Sequence, residues 1–150
     1  MNEKTYTAFL NFLKENNFQR KLNHLAKKYK NKKVIIYGTG FCFDVVNENF
    51  NLSEINIIGI SDIKFNDNTD SDIKNYKNYI IIKPSEIAAY NPDVIFIFTQ
   101  EYFRIENYFE KTLFKNEKLF NYESVFKYSI TEIILGFLLN NKWLKILFNK

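Results

Sequence analysis

Val34-Ile35-Ile36-Tyr37-Gly38-Thr39-Gly40-Phe41 sets a continuous, largely β-branched apolar run directly against two glycines one residue apart. A run that is apolar on both faces suits a strand buried on both sides, and a glycine at its end lets the chain turn tightly into a helix. Phe41 to Phe50 reads as that helix, and Ile55-Asn56-Ile57-Ile58-Gly59-Ile60 as a second buried strand that ends at Ser61-Asp62. Strand, glycine turn, helix and strand within about 27 residues have the length of a βαβ unit.

The same pattern continues outward. Tyr79-Ile80-Ile81-Ile82 predicts a third strand stopped by Pro84, and Val94-Ile95-Phe96-Ile97-Phe98 a fourth, entered from Asn91-Pro92-Asp93 and left at Thr99-Gln100. Lys118 to Phe120 predicts a short fifth strand, with helices over Pro84 to Tyr90 and Glu101 to Leu113. Right-handed crossovers give the strand order 3-2-1-4-5, a three-layer, Rossmann-like α/β fold around a parallel sheet of four to five strands. Upstream, Tyr6, Phe9, Leu10, Leu13, Phe18, Leu22, Leu25 and Tyr29 recur at helical spacing, with a break expected at Asn16-Asn17. The polar stretch from Ile63 to Asn78, which carries Asp67, Asp70 and Asp72, reads as a mobile surface loop. Ser129 and Glu132 have capping-box spacing ahead of an apolar run to Leu139, and Lys142 to Phe148 adds a second apolar piece. One domain over 1–150 is expected: a helical segment over 1–31, an α/β core over 32–121 and an apolar C-terminal helix over 129–149.

Hydrophobic residues at 46% and charged residues at 25% describe an ordinary globular chain. The net charge of +4 is weak support for a nucleic-acid partner. Lys, Asn, Ile, Phe and Tyr, all with A/T-rich codons, make up more than half of the residues, and only Arg20 and Arg104 offer the bidentate fork suited to phosphate or base edges. No nucleic-acid partner is expected. The single cysteine, Cys42, excludes an internal disulfide and a cysteine-rich metal site, and no metal is expected. Met1 to Thr7 lacks the pattern of a signal peptide, and no apolar run reaches the roughly 18–20 residues that span a bilayer, so a cytoplasmic location is expected.

The chemistry-bearing signal is the turn itself. Gly38 allows the tight bend, Gly40 removes a side chain where a ligand phosphate would sit, and the helix from Phe41 offers unpaired N–H groups to an anion. The plainer alternative is a βα turn with no ligand. Two features depart from a dinucleotide fingerprint: Phe43 stands at the third glycine position, and Asp44 places a negative charge in the first helical turn. Asp62, 22 residues after Gly40, stands near the spacing of an acid that accepts hydrogen bonds from a ribose diol, or else is a turn-forming Asp opening a loop. Thr99 and Gln100 leave the fourth strand at the switch-point crevice, with capping of the next helix the alternative for Thr99. The expected binding set is Gly38, Thr39, Gly40, Phe41, Asp62, Thr99 and Gln100.

No catalytic set emerges. His24 lies on the N-terminal helix, and Cys42, near a helix N-terminus that lowers thiol pKa values, has no partner group and reads as structural. Tyr29 and Lys33 match the Y-x-x-x-K spacing of short-chain dehydrogenases but precede the glycine turn, a chance match. Asp67, Asp70 and Asp72 lack the glycine and terminal Glu of an EF-hand.

The segments 34–40, 57–62, Ile82-Lys83-Pro84-Ser85-Glu86-Ile87 and Pro92-Asp93-Val94-Ile95-Phe96-Ile97 resemble small Rossmann-like modules of bacterial surface-polysaccharide clusters. These modules occur beside glycosyltransferases, FkbM-type methyltransferases and sugar acyltransferases, and similar segments stand at the front of nucleotide-sugar dehydratases. The resemblance covers about residues 32 to 121 and implies a nucleotide or nucleotide sugar as ligand, while a ribose-binding Asp62 would disfavour a 2′-phosphate and point to NAD or a nucleotide sugar over NADP. Three functions follow as expectations: a nucleotide-binding module in glycan biosynthesis, a subunit of an NAD-dependent sugar-modifying oxidoreductase, or a ligand-free interaction domain. The apolar C-terminus predicts a homo-oligomer or a partner protein docked through residues 130–148, and at most peripheral membrane contact through Trp143 and its lysines.

Overall fold

β-branched side chains fit a pleated surface buried on both sides, and the chain places them accordingly. The structure, a computed structural model, describes residues 3–66, 75–115 and 121–127. Two helices lead, α1 (Glu3–Glu15) and α2 (Phe18–Lys28), jointed where Asn17 takes a left-handed conformation at φ 51°. Then follow β1 (Val34–Tyr37), α3 (Phe41–Asn49), β2 (Ile57–Ser61), β3 (Asn75–Tyr76), β4 (Tyr79–Ile80), β5 (Val94–Ile97), α4 (Tyr102–Tyr108) and β6 (Tyr122–Ser124).

A four-stranded sheet in the order β2-β1-β5-β6 forms the centre, and every pairing in it is parallel. All four residues of β1 and of β5 are buried. Alternate side chains divide between two cores. Val34, Ile36, Val94 and Phe96 meet Phe9, Leu13, Phe18, Leu22 and Phe43 from α1, α2 and α3. Ile35, Tyr37, Ile95 and Ile97 meet Ile87, Phe109 and Phe114 on the opposite face. The protein is thus a mixed α/β domain with helical layers on both sides of a parallel sheet.

Two expectations need correction, on the third strand and on the 63–78 stretch. The third strand does not run on as a parallel neighbour of β2. Lys77 and Asn78, with φ of 48° and 70°, make a tight turn that folds Tyr79-Ile80 back onto Asn75-Tyr76 as an antiparallel hairpin. Only Ile81 reaches the main sheet, through one parallel bridge to Ile60, supported by Ile82 N–H donating to the Ile60 carbonyl at 2.8 Å. The expected helices are present over Pro84–Tyr90, wound as a 3-10 helix, and from Tyr102 to Leu113, where Phe109–Leu113 continues α4 as a π-helical turn. A parallel edge strand is present at Tyr122–Ser124, and the expected strand over 118–120 lies outside the described residues. Part of the polar 63–78 stretch is regular, as the 3-10 turn Ile63–Phe65 and β3. The acids Asp67, Asp70 and Asp72 and the C-terminal segment 129–149, with its expected 130–148 interface, lie outside the described residues. Among the described residues, no helix is long and apolar enough to cross a membrane.

Candidate functional site

The turn after β1 takes its shape from Gly38, whose φ of +97° lies in the region side-chain-bearing residues avoid. Its N–H donates to the Ser61 carbonyl at 2.9 Å, which ties the end of β1 to the end of β2. Thr39 follows, buried, and its N–H donates to Asp62 Oδ2 at 2.6 Å while its hydroxyl donates to the same oxygen at 3.2 Å. Asp62 Oδ1 accepts the Lys64 N–H at 3.2 Å, and Lys64 Nζ reaches back to the Thr39 carbonyl at 3.0 Å. Residues 62–64 therefore clamp the turn from outside.

Asp62 plays one expected role and one unexpected one. It opens its own loop, as a turn-forming Asp does, and it satisfies a buried backbone donor across 23 positions of sequence. Oδ1 keeps lone-pair capacity beyond its single 3.2 Å bond, since a carboxylate offers about four acceptor sites. Lys64 had no signal in the sequence. It stands at the lip of the turn, 5.2 Å from the Tyr76 ring and 5.4 Å from the Phe65 ring, a placement that cation–π attraction favours.

Gly40 is exposed and forms the N-cap of α3, and no side chain caps that helix. A Cβ built on Gly40 meets nothing within 4 Å. The first amides of a helix have no intrahelical partner, and the dipole makes that end positive. Neither neighbouring aromatic ring fills the space. Phe43 is fully buried beneath α3, with its ring 5.9 Å from those of Tyr79 and Phe98 and 6.3 Å from that of Tyr76. Phe41 lies against Phe9 at 5.2 Å and Tyr6 at 6.4 Å. Asp44 turns away: its Oδ1 accepts from Tyr76 Oη at 3.0 Å and pairs with Lys77 Nζ at 3.0 Å. Burial alone would lower the Lys77 pKa, but hydrogen bonds to Glu48 and Asp44 outweigh it and hold the ammonium charged. The acid that would repel an anion is thereby neutralised.

Thr99 and Gln100 reach the same edge. Thr99 Oγ1 accepts the Glu101 N–H at 3.2 Å, just ahead of α4, and Gln100 donates its backbone N–H to the Cys42 sulfur. Burial pushes the Cys42 thiol up despite that bond, so the helix terminus does not activate it. Other candidates scatter. His24 is exposed on α2. Tyr29 Oη donates to Glu123 at 2.7 Å and Lys33 Nζ to the Tyr90 carbonyl at 3.2 Å, so the two form no pair. Tyr122 donates to Glu110 at 2.7 Å, and that bond, with burial, pushes its phenol up to about 12. Among the described residues no three His, Cys, Asp or Glu side chains gather to hold a metal.

Two depressions, of about 310 and 480 Å³, lie around Ser53–Ile57, before β2 and at the far end of α3 from the glycine turn. They are open grooves, the smaller lined by Asn47 and Asn51 and the larger by Asn56 with the oppositely charged Lys30 and Glu54, among others.

No curated protein and no solved structure matches the chain. The family described as C2185-like, N-terminal, matches residues 30–120, from just ahead of β1 to just ahead of β6. That match takes in more than half of the 150 residues, the glycine turn and its clamp included, and the chain belongs to the C2185-like N-terminal family.

Proposed function

We propose that this domain binds the phosphate-bearing part of a nucleotide or nucleotide sugar at Gly38–Phe41, in a Rossmann-like manner. The observation that carries the reading is Gly40: exposed, with open space where a side chain would project, at the uncapped positive end of α3. Phosphate oxygens accept the free first-turn amides, Lys64 adds a cation at the lip, and the Asp44 pair with Lys77 removes the nearest repulsion. Asp62 Oδ1 has capacity left for a ribose hydroxyl, which favours a nucleotide sugar or NAD over a 2′-phosphorylated cofactor. Thr99 and Gln100 border the same crevice. The resemblance to polysaccharide-cluster modules supports cytoplasmic surface-glycan biosynthesis as the setting. The role is binding, because no nucleophile–base pair stands at the turn among the described residues.

Calorimetry with UDP-glucose and NAD, on the wild type and on Gly40→Val, tests this. The φ of −88° and ψ of −161° at Gly40 suit a β-branched residue, so the variant should fold and melt like the wild type. Affinity should fall at least tenfold, because the added methyls occupy the place of the phosphate. Equal affinity in the two proteins would overturn the proposal.

A further inference from the structure

Three buried hydroxyls, Tyr37 Oη, Ser61 Oγ and Ser124 Oγ, have no hydrogen-bond partner among the described residues. They come from different strands, yet each is the last residue of its strand. The register places them in a single row. Tyr37 pairs with Ser61 on one side and with Ile97 on the other, and Ile97 pairs with Ser124. Paired residues in a parallel sheet share a face, and Tyr37 and Ile97 belong to the core opposite α3. The carboxyl edge thus ends in the row Ser61–Tyr37–Ile97–Ser124, with exposures of 0%, 1%, 0% and 6%.

Such a row is costly for a protein to keep without purpose. A buried hydroxyl that loses water and gains no partner destabilises the fold, and apolar residues of similar shape would serve packing better. Ile97 shows that an apolar residue is compatible with the row. The carboxyl edge of a parallel sheet is also where ligands of open α/β folds sit.

We infer that Ser61 and Tyr37, paired on neighbouring strands, form a subsite for an uncharged, hydroxyl-bearing group of the ligand, such as the sugar of a nucleotide sugar. This rests on the glycine-turn reading, which supplies the phosphate anchor one residue beyond Tyr37. Hydroxyls both donate and accept, so they match sugar hydroxyls in either direction, and no cation in the row invites an anion. Burial, then Tyr108 and Asp62, holds the Tyr37 phenol above its usual range, which keeps it neutral and places it within electrostatic reach of the Asp62 carboxylate. The cover over the row is α4 and the π-helical turn after it, with Phe109 4.8 Å and Tyr108 6.4 Å from the Tyr37 ring. Phe109 is fully buried, whereas no residue of α4 is and Phe103 is 62% exposed, so α4 is the less anchored part of that cover.

The test compares inorganic pyrophosphate with UDP-glucose on the wild type, Tyr37→Phe, Ser61→Ala and Gly40→Val. Tyr37→Phe and Ser61→Ala remove no hydrogen bond present among the described residues, so each should melt at or above the wild-type temperature. Each should bind UDP-glucose at least fivefold more weakly and pyrophosphate unchanged, whereas Gly40→Val weakens both probes. UDP-glucose binding unaltered by both hydroxyl deletions would overturn the subsite and leave the glycine turn standing. Lower melting temperatures with unaltered UDP-glucose binding would also overturn it, because the hydroxyls would then be serving the free fold. Binding of both probes by Gly40→Val as by wild type would overturn the anchor, and no binding of either probe by the wild type would overturn both.

Discussion

Replacing Asp62 by Ala separates a clamp from a ligand contact. Thr39 is buried, and its N–H donates to Asp62 at 2.6 Å, a charge-assisted bond inside the turn. Removing the carboxylate orphans that donor, and a hydrogen bond to a charged group contributes about 1.5–3 kcal/mol. The longer bonds from the Thr39 hydroxyl and the Lys64 N–H add less, so Asp62→Ala should cost about 3 kcal/mol. In a domain of this size that lowers Tm by roughly 6–12 °C. Asp62→Asn keeps an acceptor oxygen for Thr39 while losing the charge, and should cost about 1 kcal/mol. Thermal and urea unfolding followed by far-UV circular dichroism reads both without any ligand. If Asp62→Ala melts within about 1 °C of the wild type, the clamp is not an energetic feature of the fold. A residue kept only for a ribose would give that result.

Two further predictions probe the scaffold. A Cβ on Gly59 would stand 2.9 Å from Ile82 Cγ1 and 3.0 Å from the Ile80 carbonyl oxygen, so Gly59→Ala should destabilise by about 1–3 kcal/mol in urea unfolding, and wild-type stability would refute the close packing. Burial raises the Glu123 carboxyl, but hydrogen bonds from Lys28 and Tyr29 outweigh it and hold its pKa below the usual value. A lowered carboxylate stabilises fully above its unfolded pKa of about 4.3 and loses that contribution as pH falls through the folded value. The stability gap between wild type and Glu123→Gln should therefore hold from about pH 5 to 8 and shrink in acid, and a gap unchanged at about pH 3 would contradict the assignment.

The elements legible in the sequence are those where one local rule dominates. Val34–Tyr37 and Val94–Ile97 are uniformly apolar and form the two central strands, and Asn16-Asn17 marks the joint between α1 and α2 because Asn17 tolerates a left-handed conformation. Tyr79–Ile82 looked like its neighbours, but its fate was decided by Lys77-Asn78, where two positive φ values make the hairpin turn. The candidate site divides the same way. Gly38 and Gly40 announce themselves by position, whereas Lys64 acts through a carbonyl 25 residues away and the Asp44–Lys77 pair spans the hairpin. The row of hydroxyls is invisible in linear order, since residues 37, 61 and 124 become neighbours only through strand register.

The most direct test is a titration of the ¹⁵N-labelled protein with UDP-glucose, followed by amide chemical shifts. Anion binding at the turn predicts that the amides of Gly40, Phe41 and Cys42 move first and furthest, with the Lys64 amide following. Shifts confined to Asn51–Ile57, or no shift at the turn at saturating ligand, would contradict the account.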